Sequence, residues 1–254
     1  MRFDHAVLRT PGENFADGLT TVAWGEAPSF ERLVVQHRGY VAALREAGLT
    51  VEVLSVLDGY PDAYFVEDVA VVVPEVAIVT RPGAAARQGE EGHIVEVLAA
   101  RREVVRMEAP ALLDGGDVLV ADRRVFVGLS GRTNEAGVAS LRMTLELHGY
   151  RVIAIPVAAG LHLKSSVNLV APGTLVVTPA FAGRPELADF EQIIVDEAEA
   201  YAANTLWVND RVLVAAGFPK LAGQLRERGL AVVELDMSEV AKMDGGLSCL
   251  SLRL

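Results

Sequence analysis

The chain has 254 residues, a length for one large domain or two small ones, and its 51% apolar and 22% charged content is that of a globular protein rather than a disordered one. A single cysteine excludes an intramolecular disulfide framework, and no Cys/His cluster has zinc spacing. The formal charge of -11 argues against a nucleic-acid partner and favours small cationic ligands, while the lack of a signal core or of an apolar run near ~18 residues leads us to expect a cytoplasmic protein with no membrane partner.

The first predicted element is a strand over Phe3–Arg9, closed by Thr10-Pro11-Gly12. An irregular stretch containing Asp17-Gly18-Leu19-Thr20 follows, and then a helix from Ser29 to Ala47. Ser29 is placed to cap that helix, Glu31 lies in its first turn and Gly48 just past its end. Val51–Val56 reads as a strand and Asp58-Gly-Tyr-Pro61 as a turn.

From there one plan recurs. Asp62, Glu67 and Asp68 precede two apolar runs, Val69–Val73 and Val76–Thr80, separated by Pro74-Glu75, and a helix is expected over Glu90–Ala100. The plan returns with Asp114 and Asp117 ahead of Val118–Val120 and Val125–Gly128, followed by a helix from Asn134 to Leu147. It returns again with His162 ahead of Val167–Val170 and Leu175–Thr178, and with Asn204 ahead of Leu206–Val208 and Val212–Ala215. A short helix then ends near Gly229. The fifth unit, Asp244 to Leu254, has room for little beyond one strand, on which Cys249 is expected.

Polar groups thus stand before a short hairpin five times, at a period of roughly 40–48 residues. Because the last unit lacks a strand and Phe3–Arg9 is spare, the economical fold is a five-bladed α/β ring closed by the N-terminal strand. An open α/β sheet remains the alternative, since the strands are apolar on both faces. In a ring, the polar segments of all five units converge, and Cys249 would meet Asp114, His162 and the carboxylates there. That matters because a thiol attacks only as thiolate and, alone, is most often an inert core residue.

Seven segments carry a resemblance. They are Phe65-Val-Glu-Asp-Val-Ala70, Thr80-Arg-Pro-Gly-Ala84, Leu113-Asp-Gly-Gly-Asp117, Phe126-Val-Gly-Leu-Ser130 with Arg132-Thr-Asn134, Leu161-His-Leu-Lys-Ser165, Ala202-Ala-Asn204 and Asp244-Gly-Gly-Leu-Ser-Cys249. In order and spacing they resemble dimethylarginine dimethylaminohydrolases, members of the guanidine-modifying superfamily built on a five-fold pseudo-symmetric α/β propeller (pentein). The resemblance spans essentially the whole chain and implies one catalytic domain over 1–254. It also implies hydrolysis of Nω-methylated arginines to citrulline and a methylamine, with no cofactor and no metal, and it allows a homodimer.

Carried over by position, the resemblance makes Cys249 the nucleophile, His162 the acid/base and Asp114 its partner. Glu67 and Asp68 would hold the guanidinium, with Asp244 nearby. Arg87 and Arg132 would clamp the α-carboxylate, and Asp62 with the backbone of Leu19 would receive the α-amino group. Met243 and Ser248 would line the site. Asn204 is expected as a hydrogen bonder in a turn and Asp117 as support for the Gly115-Gly116 turn, while the remaining histidines read as ordinary.

The chain departs from its relatives at Leu250, where some carry a second cysteine, at Gln88, where several carry arginine, and at Asp114, where some carry Glu. The rival is an arginine or agmatine deiminase on the same fold. In those enzymes the catalytic histidine resembles the start of a His-x-Asp motif, whereas here His162-Leu163-Lys164 places a lysine at the third position. A dimethylated nitrogen has no hydrogen to donate, so a buried carboxylate facing it would be left unpaired at a cost.

Overall fold

A computed structural model describes residues 2–157 and 159–254. In chain order its strands and helices are β1 (His5–Arg9), α1 (Phe30–Glu46), β2 (Thr50–Leu54), β3 (Ala70–Val72), β4 (Val76–Val79), α2 (Val95–Ala99), β5 (Glu103–Arg106), β6 (Val118–Ala121), β7 (Arg124–Leu129), α3 (Glu135–Leu145) and β8 (Arg151–Pro156). The second half continues with β9 (Val167–Ala171), β10 (Thr174–Val177), β11 (Glu191–Ile194), β12 (Leu206–Val208), β13 (Arg211–Ala215), α4 (Pro219–Glu227), β14 (Ala231–Leu235), α5 (Ser238–Ala241) and β15 (Leu252–Arg253).

These strands form five sheets of three, a pseudo-fivefold α/β arrangement. In each, two strands run antiparallel and a third lies parallel to the middle one, as β3, β4 and β5 illustrate with Ala70 opposite Val79 and Val76 beside Glu103. The two pairings have different causes. A hairpin needs only a tight turn, and three of these turns carry a residue that tolerates a left-handed backbone: Asp122 (φ 54), Gly173 (φ 73) and Asn209 (φ 54). A parallel partner needs a crossover, supplied by α1, α2, α3, α4 and, before β11, by 3-10 turns at Pro179–Phe181 and Pro185–Leu187. In the fifth sheet the hairpin is replaced by a meeting of the two chain ends. There β1 pairs antiparallel with β15 (Val7 opposite Leu252) and parallel with β2 (Leu8 beside Val53).

The helices begin where local chemistry lets them. The Ser29 hydroxyl accepts the Arg32 N–H at 3.4 Å ahead of α1, and the Asn134 side chain accepts the Gly137 N–H at 2.8 Å ahead of α3. On α1, Leu33, His37, Tyr40, Val41 and Leu44 form the buried stripe that lies against the fifth sheet. The middle strands are buried on both faces, as throughout β4, because each is covered by its own crossover and by the next sheet. No helix among the described residues is long and apolar enough to cross a membrane.

Expected hairpins and helices recur within a few residues of these bounds, with three differences. The expected helix over Glu90–Ala100 is a 3-10 turn, Glu90–Ile94, running into α2. The parallel strands β5, β8, β11 and β14 were not expected from the sequence. Cys249, expected on a strand, sits on a 3-10 turn, Ser248–Leu250, just before β15. That turn forms because the Cys249 N–H donates back to the Gly246 carbonyl at 3.2 Å.

Candidate active site

Each unit introduces its first strand with a 3-10 turn. Glu67 and Asp68 lie in Val66–Val69, Asp114 precedes Gly115–Asp117, His162 precedes Leu163–Ser165, Asn204 follows Glu197–Ala203, and Cys249 lies in Ser248–Leu250. The turns pack on one another, so residues scattered over the sequence share one small region. A pocket there is lined by Cys249, His162, Asp68, Asp62, Arg87, Arg132, Met243, Asp244 and Leu19. Asp114 stands behind His162, fully buried.

His162 is fixed by its partners. Its Nε2 lies 3.0 Å from Asp114 Oδ2, and its main-chain N–H donates to Ser165 Oγ at 3.3 Å. Asp114 is held in turn by the Gly83 N–H on Oδ1 at 2.8 Å, with Arg132 Nη1 3.7 Å from Oδ2. Asp117 does more than support its own turn: Oδ1 accepts the Leu163 N–H at 2.9 Å, and Oδ2 accepts from Ser130 at 2.6 Å and Thr133 at 2.7 Å. It therefore pins the segment that carries His162. Burial alone would drive the imidazolium to lose its proton, but Asp68, Asp114 and Asp117 outweigh it and raise His162 to about 9.

Cys249 is pushed the other way. Burial comes first, and the carboxylates of Glu67 and Asp68 add to it, so the thiol rises to about 12 despite the Gly246 hydrogen bond and the Lys164 charge. In the empty pocket at neutral pH the pair is thus a thiol and an imidazolium. Asp68 stays ionised: burial disfavours its charge, but His162, Arg87 and the Gly116 N–H, donating at 2.9 Å, more than offset this.

Two expected binders are engaged inside the protein. The Glu67 carboxylate does not line this pocket; its Oε1 lies 2.6 Å from Lys164 Nζ and 2.8 Å from Arg253 Nη2, facing a separate cavity that Ser248 also lines. Arg87 is buried, with Nη1 on Asp68 Oδ2 at 2.5 Å, Nε and Nη2 on Glu90, and Nη2 also on the carbonyls of Asp62 and Phe65. Arg132, with 19% of its side chain exposed, is the more accessible of the two cations.

The segment after Gly18 borders the pocket through Leu19. The Leu19 N–H donates to both oxygens of Asp62, at 3.2 and 3.0 Å, so the residues expected to meet an amino group meet each other. Thr21 donates to Asp244 Oδ2 from its N–H and, at 2.9 Å, from its hydroxyl. Thr20 and Trp24 both donate to the Lys242 carbonyl at 2.9 Å.

The donor set does not favour a metal. Ligand atoms of Asp68, Asp114 and His162 lie within 4.8 Å of one another. Their oxygens, however, already accept N–H groups from Gly116, Arg87, Gly83 and His162, and a cation would compete with a guanidinium and an imidazolium.

A family model for eukaryotic N,N dimethylarginine dimethylhydrolase matches residues 25–185. Over 254 residues the chain is 37% identical to the N(G),N(G)-dimethylarginine dimethylaminohydrolase of Pseudomonas aeruginosa, covering 99% of each. The chain belongs to the dimethylarginine dimethylaminohydrolase family. The Streptomyces coelicolor protein of the same description is 38% identical over 250 residues, 98% of this chain and 96% of that one. A solved structure of the Pseudomonas aeruginosa enzyme, a Cys-to-Ser mutant complexed with citrulline, superposes over 100% of both chains with a TM-score of 0.97 at 36% identity.

Sequence reasoning missed several residues that shape this family site. Glu90 shares Arg87 with Asp68, and its signal was the Arg–Glu spacing of three residues. Arg253 ties Glu67 to the Ser248 carbonyl, with Nη1 donating to that carbonyl at 3.3 Å. Tyr40 bonds to the Leu247 carbonyl and to Ser251 Oγ, each at 2.8 Å, holding the turn of Cys249 from α1. Asn204 does act as expected: its Oδ1 accepts the Ser248 N–H at 3.0 Å.

Proposed function

We propose that the chain hydrolyses Nω-methylated arginines to citrulline and dimethylamine or methylamine. The observation that carries this is a pocket in which the chain's one thiol, neutral when empty, faces a protonated His162 backed by Asp114, beside the ionised Asp68. The citrulline complex of the Pseudomonas aeruginosa relative supports the product side.

A guanidinium is a cation and a poor electrophile, so it needs an anion to fix it and a soft nucleophile for its central carbon. Asp68 supplies the first and Cys249 the second. The bound cation stabilises the thiolate, and the thiol proton leaves to solvent as the substrate enters. The sulfur lone pair forms the C–S bond while a C–N π pair moves onto nitrogen, giving a tetrahedral adduct. His162 gives its proton to the methylated nitrogen, the C–N bond breaks, and dimethylamine departs, leaving a thiouronium on sulfur. Neutral His162 then takes a proton from water, whose oxygen bonds to the same carbon. Collapse breaks the C–S bond as the hydroxyl proton passes to solvent, releasing citrulline with the thiolate restored. Such proton transfer is worth about 10²–10⁴-fold.

Arg132 receives the α-carboxylate with Arg87 behind it, and Asp62 with the carbonyl side of the Leu19 segment receives the α-amino group. Met243 and Asp244 complete the walls. The pairing of β1 with β15 supports a ring closed by the N-terminal strand, with residues 1–254 acting as one catalytic domain. The deiminase reading is the weaker one because the residue two after His162 is Lys164, turned away to Glu67, so no carboxylate faces a second guanidinium nitrogen from that position.

Acid quenching during turnover, followed by intact and peptide mass measurement, tests the chemistry. A substrate-derived adduct on Cys249 that is absent in Cys249→Ser supports it. Turnover with no adduct under any quench, and full activity in the variant, would remove the covalent step.

A further inference from the structure

Lys164 lines the second cavity together with Glu67, Ser248 and Arg253. Its ammonium lies 2.6 Å from Glu67 Oε1, and the same oxygen lies 2.8 Å from Arg253 Nη2. Arg253 Nη1 in turn donates to the carbonyl of Ser248, the residue before the nucleophile, and to Ser251. All three charged side chains are largely buried, Lys164 and Glu67 almost wholly so. Glu67 lies on the Val66–Val69 turn, which packs directly on the Ser248–Leu250 turn. The carboxylate is therefore locked under Cys249 by two cations while facing away from the catalytic pocket.

An anion buried beneath a thiol opposes its ionisation, and a cation on that anion removes the opposition. We propose that Lys164 is a positioning residue for the nucleophile: by neutralising Glu67 it keeps the thiolate of Cys249 within reach of the charge that a cationic substrate brings. The lysine thereby has a use besides the absence of a carboxylate at its position. Its effect is exerted through Glu67 and not by touching substrate.

The other groups facing Cys249 set the background. Asp68 opposes the thiolate from the same turn as Glu67, and His162 and Asp244 face it across the pocket. Arg253 favours it from β15, and the phenols of Tyr40, Tyr64 and Tyr201 surround it. Arg253 remains on the same Glu67 oxygen when Lys164 is replaced, so the Lys164 variant reads the removal of one of that carboxylate's two cations.

The chain has one cysteine, so the rate of iodoacetamide alkylation, measured against pH in the substrate-free protein, reports the thiolate of Cys249 alone. This readout needs no methylarginine and stands apart from the proposed reaction. At a fixed alkaline pH, Lys164→Met is expected to react about tenfold more slowly, a shift of about one pH unit, and Glu67→Gln faster by a similar factor. The double variant Lys164→Met/Glu67→Gln, lacking both charges, is expected to return toward the unmodified rate. An unmoved profile in Glu67→Gln, or single variants that shift in the same direction, would overturn the proposal and leave the pair a packing element. If Lys164→Met does not fold, Glu67→Gln and the double variant decide by the same criterion.

Discussion

Gly116 lies directly against the His162 imidazole, closest to its Nδ1. A Cβ placed on Gly116 would stand 2.6 Å from His162 Nδ1 and 2.8 Å from Asp68 Oδ1. Only a glycine lets the Asp114–Asp117 turn approach the acid/base this closely, and its N–H, donating to Asp68, is part of the same arrangement.

Gly116→Ala should therefore disturb His162 and Asp68 together. Displacement of a reacting group by about 1 Å costs on the order of 10²-fold in rate. Steady-state kinetics with asymmetric dimethylarginine are expected to show kcat lower by that order, with thermal stability changed far less. Unchanged kcat would mean that the imidazole has room the structure does not give it.

The pH profile follows from the charges around His162. Its ordinary value of 6.5 rises to about 9 in the fold, so the imidazolium persists through neutral pH and is lost as pH climbs through about 9. Once bound substrate has ionised Cys249, the kcat profile is expected to fall on the alkaline side as His162 loses its proton, the substrate guanidinium remaining protonated throughout. The same shift stabilises the folded chain, fully below 6.5 and no longer above about 9. Melting temperatures of the protein and of His162→Asn should thus converge as pH rises across that window. An alkaline limb already at 6.5 would contradict the assignment.

Much of this arrangement is legible in the sequence. Alternating polar segments and short apolar hairpins disclose the five units, and Ser29 and Asn134 mark helix starts by side-chain chemistry that is wholly local. The parallel third strands are not legible in the same way. Glu103–Arg106 and Glu191–Ile194 are four residues long, half-buried and tipped with charge, and they become strands because a neighbour offers its edge. Glu67 illustrates the limit at the site: adjacent to Asp68 in sequence, it points to the other cavity because Lys164 and Arg253, from other units, draw it there. Arg87 shows the three-residue spacing to Glu90 in the sequence, but no sequence sign that Asp68, from nineteen residues away, would close on its other side.

The segment bordering the pocket depends on Gly18. A side chain there would collide with Asp62 Oδ1, the carboxylate that holds Leu19. Gly18→Pro adds the loss of the N–H that donates to the Phe15 carbonyl at 3.1 Å. KM for dimethylarginine is expected to rise by about tenfold or more, as if uniform binding had been lost, with kcat affected less. Equal kinetics would show that the segment does not cover the substrate.

Tyr40 is the support of the nucleophile turn from outside the pocket. Tyr40→Phe leaves the Leu247 carbonyl without its buried hydroxyl partner, while Ser251 Oγ keeps Arg253 Nη1, at a cost of about 1–3 kcal/mol. Urea unfolding should show that loss at an unchanged m-value, together with a lower kcat for dimethylarginine. A neutral substitution would place the turn under the control of Arg253 and Asn204 alone.

The most direct measurement is formation of the ureido product by the purified protein, citrulline from asymmetric dimethylarginine, monomethylarginine and arginine and N-carbamoylputrescine from agmatine, each beside Cys249→Ser. The account predicts citrulline from the two methylated arginines, dimethylamine or methylamine released in equal amount, and no product from the variant. Turnover of arginine or agmatine in preference to the methylated substrates, or full activity without the thiol, would contradict it.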